Sequence, residues 1–328
     1  MNIYITLDYE LFFGEKSGTV EHCIIQPTNA LLELVRPYDI KFSCFVDSGY
    51  LLALEKQKGE YPELQLQYEK ICQQLKYLAG HGHGIELHIH PHWEDSFYNG
   101  DRWVFDTSRY KLADFSGPQV RDIVGRYTDV LRRLSGKAPK AYRAGGWSAQ
   151  PFDAIGKALA ANDIRIDSSV YPGGFYHSTQ QVFDFRGVPQ YETAYRFSED
   201  LTLPDAAGQF LEIPISSYRV SPLFYWKFVL VKLLGRQAHQ PFGDGQAISK
   251  SKAGMFQLLT RYSRSVVSID GYKASFLEKA FNKYRKNTEN QGNLVIIGHP
   301  KAFTPYSLSK LGQFLDATHG QHLYKIFT

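Results

Sequence analysis

Gly84-Ile85-Glu86-Leu87-His88-Ile89-His90-Pro91-His92-Trp93 is the stretch whose reading settles the architecture. Its apolar alternation predicts a strand over Gly84–His90 that Pro91 brings to a stop. Side chains of a strand alternate between faces, so His88 and His90 point the same way, and a turn at Pro91 can bring His92 round to the same centre. With His81 and His83 just upstream, five of the chain's 11 histidines fall in this one segment. Imidazoles gathered at the C-terminal end of a strand are the arrangement of an α/β barrel enzyme, whose reacting groups sit at that end.

Working outward, β-branched or aromatic runs recur between helical patterns at Ile3–Leu7, Lys41–Val46, Ala141–Arg143, Ile164–Ser168, Phe210–Ile215 and Leu294–Gly298. The alternation predicts βα units around a parallel sheet or barrel, and seven strands suffice to close one. Val120, Ile123, Val124, Tyr127, Leu131 and Leu134 repeat at helical spacing behind the start signal Ser116-Gly117-Pro118. Further helices are expected over Thr28–Val35, Leu64–Leu78, Phe152–Ala161, Lys252–Tyr262, Phe276–Tyr284 and Ser307–Ala317. No linker divides the chain, so 1–328 reads as one domain. The stretch 216–291 exceeds a normal βα connection and reads as an insertion or lid.

The other strand ends also carry chemistry. Strand one runs into Leu7-Asp8-Tyr9-Glu10, where alternation puts both carboxylates on one face. Imidazoles joined to a carboxylate form the ligand set of catalytic zinc or non-haem iron sites. The fourth strand ends Tyr142-Arg143-Ala144-Gly145-Gly146-Trp147, with an arginine able to hold a carboxylate and glycines that let backbone approach a ligand. Asp167-Ser168-Ser169 ends the fifth, and His299-Pro300 follows the buried run Leu294–Gly298, a suitable place for proton transfer.

At 43% hydrophobic and 21% charged the chain has the composition of a folded protein, and 37 Lys+Arg less 33 Asp+Glu leaves a dispersed +4, so nucleic acid is not expected as a partner. Cys23, Cys44 and Cys72 are odd in number and widely spaced, which argues against a disulfide framework and for a reducing cytoplasm. With Asp8 and Glu10 so near the start, no secretory signal is read. The apolar run Pro222–Leu234 is interrupted by Lys227 and Lys232 and is too short to span a bilayer. Residues 221–234 are instead expected to form a lid, a dimer contact or a peripheral contact with the inner membrane.

Taken in order, Thr6-Leu7-Asp8-Tyr9-Glu10, His88-Ile89-His90-Pro91-His92, Arg143-Ala144-Gly145-Gly146-Trp147, Asp167 and His299 resemble the polysaccharide deacetylases of the NodB-homology, carbohydrate-esterase type, and within them the WbmS-like branch linked to surface polysaccharides in bacteria. The resemblance implies a distorted (β/α)7 barrel, here with the long insertion already read before the last strand, and metal-dependent hydrolysis of N-acetyl or O-acetyl groups on sugars. It maps Asp8 onto the catalytic base, Arg143 onto the group that orients it, His299 onto the general acid and Asp167 onto the aspartate supporting that acid. One divalent metal, zinc by expectation, falls to Glu10, His88 and His92, with His90 as a substitute. Tyr9, Trp93, Gly145, Gly146 and Trp147 are expected to face an acetylated sugar or sugar conjugate, and the aromatic loop from Trp93 to Tyr110 suits one. The family's usual pair of adjacent aspartates is replaced here by Asp8-Tyr9-Glu10. Two alternatives stand beside this reading: hydrolysis of a ureide or cyclic amide by the same centre, and a non-catalytic glycan-binding barrel.

Overall fold

Leu294, Val295, Ile296 and Ile297 are all buried, as both faces of a parallel strand must be when helices cover one side and the barrel interior the other. The structure, a computed structural model, describes residues 1–247 and 252–328. Its main sheet consists of β1 (Asn2–Tyr9), β2 (Ser43–Asp47), β3 (Gly84–Ile89), β4 (Ala141–Ala144), β5 (Ile166–Asp167), β6 (Tyr195–Phe197), β7 (Phe210–Glu212), β8 (Asn293–Gly298) and β9 (Leu323–Tyr324). The strand order is β6-β7-β5-β4-β3-β2-β1-β8, and β9 also pairs with β1. Only β6 runs antiparallel to its neighbour. The seven strands expected from the sequence are the seven that curl in parallel into a half-barrel.

No ladder joins β7 to β8. Irregular chain spans that gap: Ser216 donates to the Val295 carbonyl (3.0 Å), Val267 to Ser216 (2.7 Å) and Ile269 to Ile297 (3.0 Å). The backbone polar groups facing the gap thereby find partners, which a buried seam requires.

The outer helices follow their apolar stripes. They are α1 (Gln26–Val35), α2 (Ser48–Gln57), α3 (Pro62–Gly80), α4 (Gly117–Ser135), α5 (Asp153–Ala160), α6 (Pro222–Leu233), α7 (Lys252–Thr260), α8 (Leu277–Asn287) and α9 (Pro305–Thr318). In α4 the six residues of the expected stripe are all buried, and a Ser116–Gln119 capping box closes its N-terminus. Each such side chain contributes about 1.5–3 kcal/mol relative to exposure. Helix α2 has no amphipathic signature because Ser48, Gly49, Tyr50, Leu51, Ala53 and Leu54 are buried on several sides at once.

The stretch 216–291 holds a β-hairpin, Ser217–Val220 with Ser263–Val266, whose connection carries α6 and α7; α8 follows. Residues 248–251 of this expected insertion lie outside the described residues. Among the described residues no helix is long and apolar enough to cross a membrane.

Candidate functional site

Strand β1 delivers Asp8 and Glu10 to the inner face of the barrel rim, and β3 delivers His88 with His90 just beyond it. Glu10 Oε2 lies 2.7 Å from His90 Nε2 and 3.3 Å from His88 Nε2, and all three side chains are buried. Donor atoms of Glu10, His88 and His90 lie within 4.8 Å of one another. His88 Nδ1 donates to the Arg143 carbonyl at 2.9 Å, so its Nε2 is aimed inward. That backbone contact fixes the ring in the way ligand imidazoles are commonly fixed.

His92 does not join this group. The turn through Pro91–Glu94 lays its ring between Tyr110 (5.7 Å, interplanar 8°) and Trp93 (5.4 Å, 27°), with Phe13 and Phe105 against its edges. Both its ring nitrogens are buried without a hydrogen-bond partner, as is His90 Nδ1. Burial first, and then His90, holds His92 well below the usual imidazole range, so its ring is neutral. The second imidazole at the carboxylate is therefore His90, two residues along the strand and on the same face, where the family resemblance pointed to His92.

Two cations balance the acids. Lys301 Nζ lies 2.9 Å from Glu10 Oε1 and donates also to the Leu11 carbonyl, leaving Oε2 turned toward the imidazoles. Burial pushes the Glu10 carboxyl up, but Lys301, His90 and His88 outweigh it and hold it well below the carboxylate range. Arg143, with no exposed surface, places Nη1 at 2.5 Å from Asp8 Oδ1; its other donors meet Thr6 Oγ1, the Ser168 carbonyl and Ser168 Oγ. A buried guanidinium is tolerable only with its donors occupied in this way.

His299, after β8, closes the centre: Nε2 stands 3.6 Å from Asp8 Oδ2 and 4.0 Å from Glu10 Oε1. Its Nδ1 meets Asp270 Oδ2 at 2.8 Å, and Asp270 Oδ1 accepts its backbone N–H at 2.7 Å. Desolvation lowers the imidazole pKa, and the Asp270 carboxylate, with Asp8 and Glu10, more than reverses this. The supporting aspartate is thus Asp270, contributed by the stretch 216–291. Asp167 instead pairs with Glu212 in cross-strand register, held by Ser169 N and Oγ. Asp47, at the end of β2, accepts from Trp93 Nε1 at 2.6 Å; burial raises it to about 6, against the pull of His90 and His88.

The expected substrate-facing residues divide. Gly145 borders the centre, since a Cβ there would stand 2.5 Å from His90 Nδ1. Gly146 (φ 57°) and Trp147 (φ 59°) form the left-handed turn after β4, with Gly146 beside Tyr110 and Trp147 packed on Tyr171 and Phe183. Tyr9 points away from the site and donates to Gln74 Oε1 (2.8 Å), as strand alternation demands of the residue between Asp8 and Glu10. Trp93 is buried behind the site among Tyr50, Trp103 and Phe105, so it supports the rim and does not face a ligand.

The acid–imidazole centre thus sits at the C-terminal strand ends of a curled parallel α/β sheet. No protein-family model and no curated protein matches the chain. Solved structures do. It is similar to a putative polysaccharide deacetylase from Mycobacterium smegmatis (TM-score 0.52, 16% identity, 98% of this chain and 85% of that one). A probable polysaccharide deacetylase from Pseudomonas aeruginosa PAO1 aligns at TM-score 0.50 and 11% identity, covering 100% and 87%. Puue allantoinase aligns at TM-score 0.50 and 11% identity, covering 100% of this chain and 86% of that one. The chain has the polysaccharide-deacetylase fold, which that allantoinase shares.

Proposed function

We propose that this protein is a metal-dependent hydrolase that removes acetyl groups from a sugar or sugar conjugate. The observation that carries the reading is the placement of Asp8 between Arg143 and His299 at the edge of the Glu10, His88 and His90 cluster. The order of the motifs and the deacetylase fold support the sugar substrate, and we assign the chain to the WbmS-like branch on its Asp8-Tyr9-Glu10 and His88–His92 motifs.

Glu10 Oε2, His88 Nε2 and His90 Nε2 would hold the ion, for which we propose zinc, a metal suited to two imidazoles and a carboxylate. Their fit to a cation rests on three donor atoms within 4.8 Å of one another, on a Glu10 carboxylate held ionised between two rings, and on His88 Nδ1 being tied to the Arg143 carbonyl so that Nε2 faces inward. A bound divalent ion polarises the scissile carbonyl and acidifies the attacking water. Asp8 Oδ2 takes the proton of that water while Arg143 keeps Oδ1 occupied and the carboxylate aligned. Main-chain amides of the Gly145-Gly146 turn, which borders the centre, would supply fixed dipoles to the oxyanion. His299 Nε2 hands its proton to the departing amine or alcohol, with Asp270 holding Nδ1–H. Three unpaired, buried thiols support a cytoplasmic, biosynthetic setting.

Acetate release from acetylated hexosamine conjugates, abolished by chelation and restored by zinc, is the expected result. No acetate from any acetylated sugar with metal present would overturn the reading. A second reading, ureide hydrolysis, is kept alive by the equal likeness to the allantoinase structure; turnover of a ureide and not of acetylated sugars would select it.

A further inference from the structure

Helix α6 exposes Leu223, Trp226, Leu230 and Leu233, at 62%, 56%, 57% and 79% of their surface. At 100° per residue these four positions fall within about 80° of arc, a continuous apolar stripe. Helix α7 packs beside it, tied by Trp226 Nε1 donating to the Leu259 carbonyl (3.1 Å), and adds exposed Met255 and Phe256. Tyr262, also exposed, lies under the Arg219 guanidinium (4.2 Å). Such contiguous apolar surface is unusual on a face that meets only water.

The charge around it is one-sided. From Ile213 through Ile269 the chain has a single acidic residue, Asp244, which is engaged with Thr19, whereas Arg219, Lys227, Lys232, Arg236, Arg261 and Arg264 are basic. Lys227 falls beside the stripe on the helical wheel. A second copy of the chain would bring the same positive charge against itself, so self-association is opposed by this one-signed segment, Lys227 beside the stripe above all. An anionic lipid surface complements both features: the apolar side chains enter the boundary of the acyl chains, the tryptophan sits at headgroup level, and the basic residues meet lipid phosphates.

We propose that the α6–α7 hairpin docks the protein on an anionic membrane surface. The hairpin stands at the rim that holds the reacting groups. Phe224 of α6 stacks on Tyr272, just after Asp270, the partner of His299. Docking through this face therefore brings the site close to substrates carried at the lipid surface. The docking stands independently of which bond the site hydrolyses.

Vesicle co-sedimentation of the full chain tests it without reference to activity. The protein should sediment with phosphatidylcholine vesicles containing phosphatidylglycerol, weakly with phosphatidylcholine alone, and less as salt rises. The double change Leu230→Glu, Leu233→Glu should reduce the bound fraction at least about tenfold. Lys227→Glu, beside the stripe, should reduce it by about fivefold or more, and Lys232→Glu, on the far side of α6, by less. All four residues are exposed, so melting temperatures should be unchanged. Failure of the wild-type chain to bind phosphatidylglycerol vesicles would overturn the proposal. So would a dimer, seen by light scattering, that Leu230→Glu dissociates, because the stripe would then belong to a second copy.

Discussion

Glu10, at the end of β1, and Glu212, at the end of β7, are both buried acids on the rim of one barrel, and they reach opposite charge states. Glu10 faces an ammonium and two imidazoles, which overcome desolvation and keep it ionised. Glu212 faces Asp167, so burial and the neighbouring carboxylate both drive its pKa well above the carboxylate range, and Asp167 is raised with it. Burial alone does not make an acid reactive; the partners that decide its charge do. The ionised carboxylate sits between imidazoles at the rim, while the raised pair lies across two neighbouring strands.

Exchanging the roles of His90 and His92 is the sharpest way to break this contrast. His90→Ala should strip the metal and take activity to background. His92→Ala should keep the ion and lower stability by about 2–4 kcal/mol, because it empties an aromatic-lined space. Metal analysis alongside denaturant unfolding reads both, and metal lost from His92→Ala but kept by His90→Ala would return the ligand role to His92.

Asp8→Asn should retain the metal while the rate falls roughly 10² to 10⁴-fold, the usual contribution of a positioned base. A near-normal rate would take Asp8 out of the mechanism. Asp270→Asn comes next, with a loss of about tenfold or more in kcat. Since Asp270 raises the His299 pKa, its removal should lower it and move the alkaline limb of the pH–rate profile to lower pH. An unmoved limb would make Asp270 structural only.

Glu212→Gln should have the smallest effect, seen in stability and not in rate. A carboxyl whose folded pKa is raised contributes stability that is complete below its unfolded value and lost as pH climbs through the folded value. The amide has no proton to lose, so the variant should show a flatter stability profile on the alkaline side, with a gain on the order of 1 kcal/mol there. Equal slopes for variant and wild type, measured by urea unfolding from mildly acidic to alkaline pH, would show that Glu212 carries no raised pKa.

Local pattern was enough to place the seven parallel strands and the carboxylate pair, because alternation along a strand is a property of the backbone. Asp8 and Glu10 share a face for that reason, and the same rule turns Tyr9 away, a consequence the family motif obscured. What β1 and β3 could not encode locally was which groups would meet across the rim. Lys301 follows His299-Pro300 and gives no signal until β8 lies beside β1. Asp270 comes from a stretch that reads as an insertion, and only the seam between β7 and β8 carries it to His299. The choice between His90 and His92 depended on where aromatic rings from Phe13, Phe105 and Tyr110 close around the turn. Strand periodicity is set within a few residues of chain, whereas charge balance and imidazole partners are set by contacts between distant segments, and those the tertiary structure alone decides.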